Sequence, residues 1–310
     1  QVDEGVVADP IDYTFTLDMD KGETLYLCAA GGDMAADWQC ILHIDTLNVK
    51  FTSENPVPVE ADELMLEAGE KVLLTQTDGV TVTGTNDAVS YADNYVTALK
   101  AGNALLTLTA DGYTEKKVYV GVKGEGQISD YGAWDYATGP RPAGEDNIYY
   151  FLYDQIACRY LPAAQDWNSY INQNKYSNET DWVVFSQTSY LNIPNNNTYD
   201  VALAYRVPAS GYLSIDDDIA FMDPRDGTSV AVMLNAQRIF PAHLPWMISG
   251  LGSGSFTESD AARMNIRLYG IEVEEGDWIF LRFNCNIQGG ANLEQVYPKT
   301  VFTLTPKEGT

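Results

Sequence analysis

The sequence predicts an all-β fold with more than one β-sandwich, and three observations carry that prediction. Apolar residues follow period two along most of the chain, and no convincing helical period occurs beyond a turn near residues 165–171. Turn signals such as Asp111-Gly112, which lies between two β-rich runs, recur roughly every 8–12 residues. The chain has 310 residues and is 45% hydrophobic, so it is long enough and apolar enough for two cores.

The N-terminal segment, residues 1–55, supplies only three or four strand-like runs, which is few for a sandwich. These strands can form a small domain, complete the next domain or pair with the C-terminal sheet, and the sequence leaves the three arrangements open. Cys28 and Cys40 lie on neighbouring runs of this segment, where a disulfide and two separate buried thiols both fit. The states of Cys158 and Cys285 are open as well.

Residues 56–122 contain "LMLEAGEKVLLTQT" and, further on, "VSYADNYVTALKAGNALLTLT" before a closing strand. Gly102 turns the chain between Leu99 and the strand that begins near Ala104. This pattern resembles the bacterial immunoglobulin-like group 2 domain, although Thr85-Asn86-Asp87 replaces the segment in which that family usually has a Trp. The resemblance implies an Ig-like sandwich in an extracellular bacterial protein, where such domains mostly serve as surface spacers or adhesin modules.

Residues 123–130, "KGEGQISD", combine two glycines with alternating charge and are predicted to be a linker. Residues 131–310 then supply further strands, including "YDVALAYRVPASGYLSIDDDIAFM", "DGTSVAVMLN" and "IEVEEGDWIFLRFN". This succession resembles a β-sandwich of surface proteins and glycanase-associated modules of gut bacteria. The resemblance implies a larger, jelly-roll-like sandwich of the carbohydrate-binding-module kind, and the arrangement is similar to that of starch-adherence proteins.

The charge balance excludes several classes of partner. Lys and Arg number 18 against 44 Asp and Glu, which gives a net charge of −26. Such a polyanion repels nucleic acid, anionic lipid and acidic polysaccharides, so a neutral ligand is favoured. No apolar run approaches the roughly 18 residues of a membrane helix, and membrane insertion is not expected.

Catalytic motifs are not found. His243 precedes the Gly/Ser-rich residues 249–255, but the nucleophile-elbow pattern G-x-S-x-G does not occur there. None of the 44 acids lies in a recognisable glycosidase context. We therefore predict that the protein is not an enzyme and needs no organic cofactor.

Aromatic and amide residues alternate irregularly in residues 165–182, "QDWNSYINQNKYSNETDW". Aromatic rings can pack on the C–H-rich faces of sugars, and amides offer a donor and an acceptor to hydroxyl groups. We expect Trp167 to lie in a loop between strands and to be partly exposed, while packing onto the sheet is the alternative for Trp167 and for Trp182. The predicted ligand-binding residues are Trp167, Asn168, Tyr170, Gln173, Asn174, Tyr176, Trp182 and, as an opposite wall, Trp246.

A possible structural calcium site is the one predicted metal centre. The segment "IDDDIAFMDPRDG" is rich in carboxylates, which are the hard oxygen ligands that calcium prefers. Strand alternation would place Asp216 and Asp218 on one face and Asp217 on the other. Asp223 would be the third ligand, and a solvated strand end is the alternative.

These features together predict a non-catalytic glycan-binding protein, secreted or held at a bacterial cell surface. The expected ligand is a neutral polysaccharide or oligosaccharide, with starch-type α-glucan first, and the protein is expected to act as a monomer within a larger surface assembly. The alternative function is that of a protein-binding adhesin or surface assembly module. Linkage, chain-end or internal recognition, and the mode of anchoring are not predicted.

Overall fold

The computed structural model describes residues 55–59, 61–131, 142–168, 173–177, 184–185, 191–193, 199–223, 228–240, 247–249, 262–285 and 294–307, with several of the short strands and strand ends described by their backbone alone. All of them belong to one compact unit that spans residues 55–310. The predicted N-terminal segment, residues 1–55, lies outside the described residues except for Asn55. The described part contains strands and one short 3₁₀ turn, Glu145–Asn147, so the all-β class is confirmed.

Residues 55–123 form a small two-sheet sandwich, which we call the N-terminal module. Its sheets have the strand orders β1-β7-β6-β3 and β2-β5-β4. Strands β6 and β7 form the hairpin predicted around Asp111-Gly112, and β1 pairs with β7 in parallel. The strands are β1 (Glu63–Glu67), β2 (Lys71–Leu73), β3 (Thr81–Thr83), β4 (Val89–Ala92), β5 (Tyr95–Ala98), β6 (Gly102–Thr109) and β7 (Lys116–Lys123).

Period-two alternation explains the core of the N-terminal module. Along β6 the burial alternates strictly, with Ala104, Leu106 and Leu108 buried. Val118, Val120 and Val122 of β7 face them in the same cluster. The apolar face of each strand is thereby removed from water, which is the main driving force for closing the sandwich.

The remaining strands form a larger two-sheet sandwich. The first sheet has the path β10-β9-β15-β21-β17-β18 with β19 on β17, and the second has the path β11-β12-β13-β14-β22-β16-β23-β8 with β20 on β16. Their bounds are β8 (Gln127–Asp130), β9 (Ile148–Asp154), β10 (Arg159–Pro162), β11 (Ala164–Asn168), β12 (Gln173–Ser177), β13 (Val184–Phe185), β14 (Leu191–Ile193), β15 (Tyr199–Arg206), β16 (Gly211–Asp223), β17 (Thr228–Leu234), β18 (Gln237–Phe240), β19 (Met247–Ser249), β20 (Ala262–Val273), β21 (Trp278–Cys285), β22 (Glu294–Tyr297) and β23 (Val301–Pro306).

Inward-facing residues of the two larger sheets share one core. Val201, Leu203 and Tyr205 of β15 are fully buried in it, as are Ile215 of β16 and Phe302 of β23. The ring of Tyr205 stacks on that of Phe302 with centroids 4.6 Å apart. The two strands predicted around Pro208 are therefore present, but they belong to opposite sheets, so the turn between them leads from one sheet of the sandwich to the other.

The range predicted as a linker is largely structured. Lys123 is the last residue of β7, and Gln127–Asp130 form β8, which pairs with β23 at one edge of the nine-stranded sheet. Only three residues, 124–126, separate the two strands. The glycines that suggested a linker are instead required by close packing, as described below.

Candidate functional site

Two described stretches of the aromatic and amide segment form strands β11 and β12 at one edge of the nine-stranded sheet, and we call this antiparallel pair the β11–β12 hairpin. Trp167 belongs to β11, so the prediction that it lies in a loop was wrong. Strand β11 pairs with β12 in antiparallel register, with Trp167 opposite Asn174 and Gln165 opposite Tyr176. Asn and Asp are depleted in strands on average, but pairing in an existing sheet overrides so weak a preference. The hairpin also carries Asn168 opposite Gln173.

The register sorts this hairpin into two faces. Residues directly opposite each other, and residues two apart, belong to the same face of a sheet. Positions 165, 167, 174 and 176 therefore share one face, which combines two aromatic and two amide residues. The other face has Asp166, Asn168, Gln173 and Lys175. Of the predicted binding residues, the structure thus brings Trp167, Asn174 and Tyr176 together and separates them from Asn168 and Gln173.

The aromatic face of the hairpin continues the inner face of the sheet. Tyr176 is paired with Phe185, Phe185 with Leu191, and Leu191 with Val296. Val296 is fully buried in the core of the larger sandwich. Position 176 lies three strands from Val296, or about 14 Å along the sheet.

Three of the predicted ligand-binding residues, Tyr170, Trp182 and Trp246, lie outside the described residues. The predicted opposite wall of the site thus remains a prediction.

A second group of aromatic residues was not predicted from the sequence. It covers the outer face of the seven-stranded sheet, opposite the core, and consists of half-buried rings around the buried Phe280. Ala202 and Ala204 on the central strand β15 leave room above the sheet, which rings from the neighbouring strands fill. We call it the outer ring cluster: Tyr149, Phe151, Tyr153, Tyr160, Trp278 and Phe280.

Rings of the outer ring cluster meet mostly edge to face. Tyr149 and Phe151 approach Trp278 with centroids 5.1 and 5.3 Å away and interplanar angles of 73° and 80°. The Tyr160 ring instead stacks on Phe280. Burial raises the pKa of the Tyr160 hydroxyl to about 12, so this residue is neutral under ordinary conditions. The Trp278 ring is also nearly parallel to that of Phe280, with an interplanar angle of 16°, so edge-to-face and stacked contacts both occur in this apolar layer.

A buried ion pair closes one end of the outer ring cluster. Arg282 donates to one carboxylate oxygen of Asp200, and the other oxygen accepts hydrogen bonds of 2.6 Å from Gln155 and from Asn284. The guanidinium carbon of Arg282 also lies 3.5 Å from the centroid of the Tyr153 ring. Because each carboxylate oxygen of Asp200 has partners, this buried charge is satisfied within the protein.

The sequence does contain a signal for the outer ring cluster. In "IYYFLYD" of β9, residues on both faces are aromatic or aliphatic, so the usual alternation of apolar and polar residues is lost. A strand with this pattern is expected to contact apolar groups on both faces. The segment "WIFLRF" of β21 shows the same loss.

The predicted calcium ligands are engaged by protein cations. Alternation along β16 is as predicted, since Asp217 is fully buried on the inner face while Asp216 and Asp218 are not. Asp216 contacts Lys123 and Arg267, and Asp218 contacts Arg263. The side chain of Asp223 is outside the described part, and the described residues contain no group of three acidic, Cys or His side chains that could hold a metal ion. A calcium site stays a prediction.

Two further predictions concern membrane insertion and the state of the cysteine residues. Within the described part of the chain, no helix is long and apolar enough to cross a membrane. Cys158 is exposed and forms no disulfide. Cys28 and Cys40 lie outside the described residues.

Comparisons with known proteins give only distant similarities. No family model matches the chain, and no curated protein does. Among solved structures, the M60 catalytic domain with the CBM51-1 and CBM51-2 domains from Clostridium perfringens ZmpB shares 10% identity at a TM-score of 0.27 over 84% of this chain and 24% of its own. A structure of infectious bursal disease virus, Gx strain, shares 10% identity at a TM-score of 0.25 over 71% of this chain and 47% of its own.

A third structure, of carbohydrate-binding modules from the β-sandwich superfamily with promiscuous specificity, shares 9% identity at a TM-score of 0.17 over 82% of this chain and 92% of its own. The chain spans less than half the length of the first two structures. At these TM-scores none of the three supports an assignment of function, which must come from the residues of this chain.

Proposed function

We propose that this protein binds glycans without catalysis, and that its ligand is a neutral α-glucan of the starch type captured at a bacterial cell surface. The observation that carries the proposal is the register of the β11–β12 hairpin, which places Trp167 opposite Asn174 and Gln165 opposite Tyr176 on one face. Two ring positions and two amide positions on a single face match the apolar faces and hydroxyl groups of a neutral sugar.

Two further observations support this proposal. The net charge of −26 disfavours anionic glycans, which leaves neutral glycans as the favoured class. The proposal also requires the facing sheet to end before it covers positions 167 and 176. The path of the nine-stranded sheet contains eight strands and that of the facing sheet contains six. Among the described strands, the longer path exceeds the shorter by two strand spacings, or about 10 Å, which is the width of uncovered edge that the proposal requires at the hairpin.

Affinity electrophoresis through gels that contain amylopectin, xylan, β-glucan or pectin tests the function. We expect retardation by amylopectin and none by pectin. Binding through a few rings should be weak, with a dissociation constant of roughly micromolar to millimolar, or about −4 to −8 kcal/mol. Retardation by none of the four polysaccharides would overturn the proposal, and release of reducing sugar after prolonged incubation would overturn its non-catalytic part.

A protein-binding adhesin is the second candidate, and the outer ring cluster favours it. Aromatic residues are enriched at protein–protein interfaces, and this cluster places several half-buried rings side by side on the face opposite the core. Tyr149→Ala removes a half-buried ring of this surface and leaves the hairpin unchanged. Loss of cell-surface adhesion in this variant, with amylopectin retardation retained, would favour the adhesin function.

A further inference from the structure

The connection between the N-terminal module and the larger sandwich is tightly packed. A Cβ atom at Gly124 would lie 2.6 Å from the Cβ of Ala101, and one at Gly126 would lie 2.0 Å from the carbonyl oxygen of Leu304. The Thr305 hydroxyl donates to the carbonyl oxygen of Glu125 at 2.9 Å. Each of the three connecting residues is thus fixed by a neighbour, unlike the residues of a flexible linker.

A β-bulge in β20 directs backbone groups towards the N-terminal module. Between the pairs Leu213–Ile271 and Ile215–Leu268, Tyr269 and Gly270 of β20 face Ser214 alone. Extra residues of this kind bend a strand and change the direction of its polar groups.

The backbone carbonyl groups at the bulge are used by the N-terminal module. The carbonyl oxygen of Gly270 accepts a 2.7 Å hydrogen bond from the Asn103 amide, and that of Tyr269 accepts a 3.2 Å hydrogen bond from the Tyr119 hydroxyl.

Glycines allow this close approach from both sides. Gly270 has φ +68°, and a Cβ atom there would lie 1.9 Å from the carbonyl oxygen of Gly102. A Cβ atom at Gly121 would lie 2.3 Å from the carbonyl oxygen of Tyr269. The backbones of β6 and β7 therefore lie directly against that of β20.

Asp216 connects the two parts through charge. One carboxylate oxygen contacts the ammonium group of Lys123, at the end of the last strand of the N-terminal module. The other accepts a 2.6 Å hydrogen bond from the Tyr269 hydroxyl and lies 3.1 Å from Nε of Arg267. The side chains of Asp216 and Lys123 are only 18% and 24% exposed, so the pair is better shielded from water and salt than an ordinary surface pair.

We propose that the N-terminal module and the larger sandwich form one rigid body in solution, and that Asp216 locks the joint between them. The module then acts as a rigid support that fixes the orientation of the sandwich. This inference does not depend on the ligand or on the β11–β12 hairpin.

Residual dipolar couplings of backbone amides, measured on the full chain, test this proposal. In the unsubstituted protein, one alignment tensor should fit the couplings from residues 61–122 and from the described strands of the larger sandwich. In Asp216→Asn, which keeps the size of the side chain and removes its charge, the two sets should require tensors that differ beyond experimental error. The matched control is Asp218→Asn, because Asp218 lies on the same strand but pairs with Arg263 inside the sandwich.

Apart from the control, two results would overturn the proposal. One is a need for two tensors in the unsubstituted protein, and the other is a single unchanged tensor in Asp216→Asn. If Asp216→Asn does not fold, Lys123→Gln breaks the same ion pair from the module side and has the same expected result. Asp218→Asn should keep the single tensor of the unsubstituted protein, and a need for two tensors in this control would also overturn the role assigned to Asp216.

Discussion

Asp200 and Arg282 form a charged pair that is almost completely removed from water, with 1% of Asp200 and 8% of Arg282 exposed. Asp200→Ala leaves the guanidinium without its counter-charge and should lower the free energy of unfolding by about 3–5 kcal/mol. Urea denaturation followed by fluorescence measures this change.

The matched control for Asp200→Ala is Asp87→Ala. Asp87 pairs with Lys100 at 3.3 Å, but both side chains are more than half exposed. Its loss should cost less than about 1 kcal/mol. Equal effects of the two substitutions would contradict the role assigned to the buried pair.

Asp217 should make stability depend on pH in an unusual direction. Burial raises the pKa of this carboxyl group to about 7, against an ordinary value of 3.8. Between these two values the folded protein holds a proton that the unfolded chain releases, so the free energy of unfolding falls as pH rises from about 4 to 7. The slope from this group is at most about 1.4 kcal/mol per pH unit.

Asp217→Asn should abolish that contribution. In the structure Asp217 accepts hydrogen bonds from the backbone N–H of Lys299 and from the Thr300 hydroxyl. An amide resembles the protonated carboxyl group, since its oxygen can accept from the Lys299 N–H and its NH₂ group can donate to the oxygen of Thr300, whose hydroxyl can rotate. Relative to this variant, the unsubstituted protein should therefore lose stability between pH 4.5 and 7.5. A stability difference that is independent of pH over this range would contradict the shift.

Alanine substitutions at Gly270 and Gly112 distinguish the cost of steric crowding from the cost of backbone strain. Both have positive φ, +68° and +82°, but a Cβ atom at Gly112 meets nothing within 4 Å. Gly112→Ala should cost about 1 kcal/mol from the left-handed conformation alone. Gly270→Ala should cost about 1–3 kcal/mol more, because the new methyl group collides with the carbonyl oxygen of Gly102. Thermal unfolding of the two variants compares them, and equal losses would show that the contact with Gly102 is loose.

The sequence was sufficient to predict the all-β class, because apolar and polar residues alternate along every strand that has one polar face. It was sufficient for the β6–β7 hairpin, whose Asp-Gly turn is a strong local signal, and for the placement of Asp217 on the strand face opposite Asp216 and Asp218, although not for its burial. It failed for residues 164–168 and 173–177, because their polar composition disfavours strands and pairing with the rest of the sheet overrides that preference. The joint at Asp216 could not be predicted, because Lys123 is 93 positions away in the sequence.

The outer ring cluster escaped prediction for a different physical reason. Alternation identifies a strand by the contrast between its faces, and β9 and β21 have little contrast. A continuous apolar run indicates burial but does not tell which face meets the core. Only the paired register, with Ala202 and Ala204 beneath the rings, shows that a second apolar layer exists.

Calorimetric titration of the Trp167→Ala variant with maltooligosaccharide, combined with thermal unfolding, determines whether Trp167 contacts sugar or belongs to the core. We expect at least tenfold weaker binding, or about 1.4 kcal/mol, with a loss of stability under about 1 kcal/mol. Tyr113→Ala, which removes a ring that is 37% exposed in the N-terminal module, should leave binding unchanged. A stability loss of about 3–5 kcal/mol would instead assign Trp167 to the core, and unchanged binding would contradict the proposed glycan site.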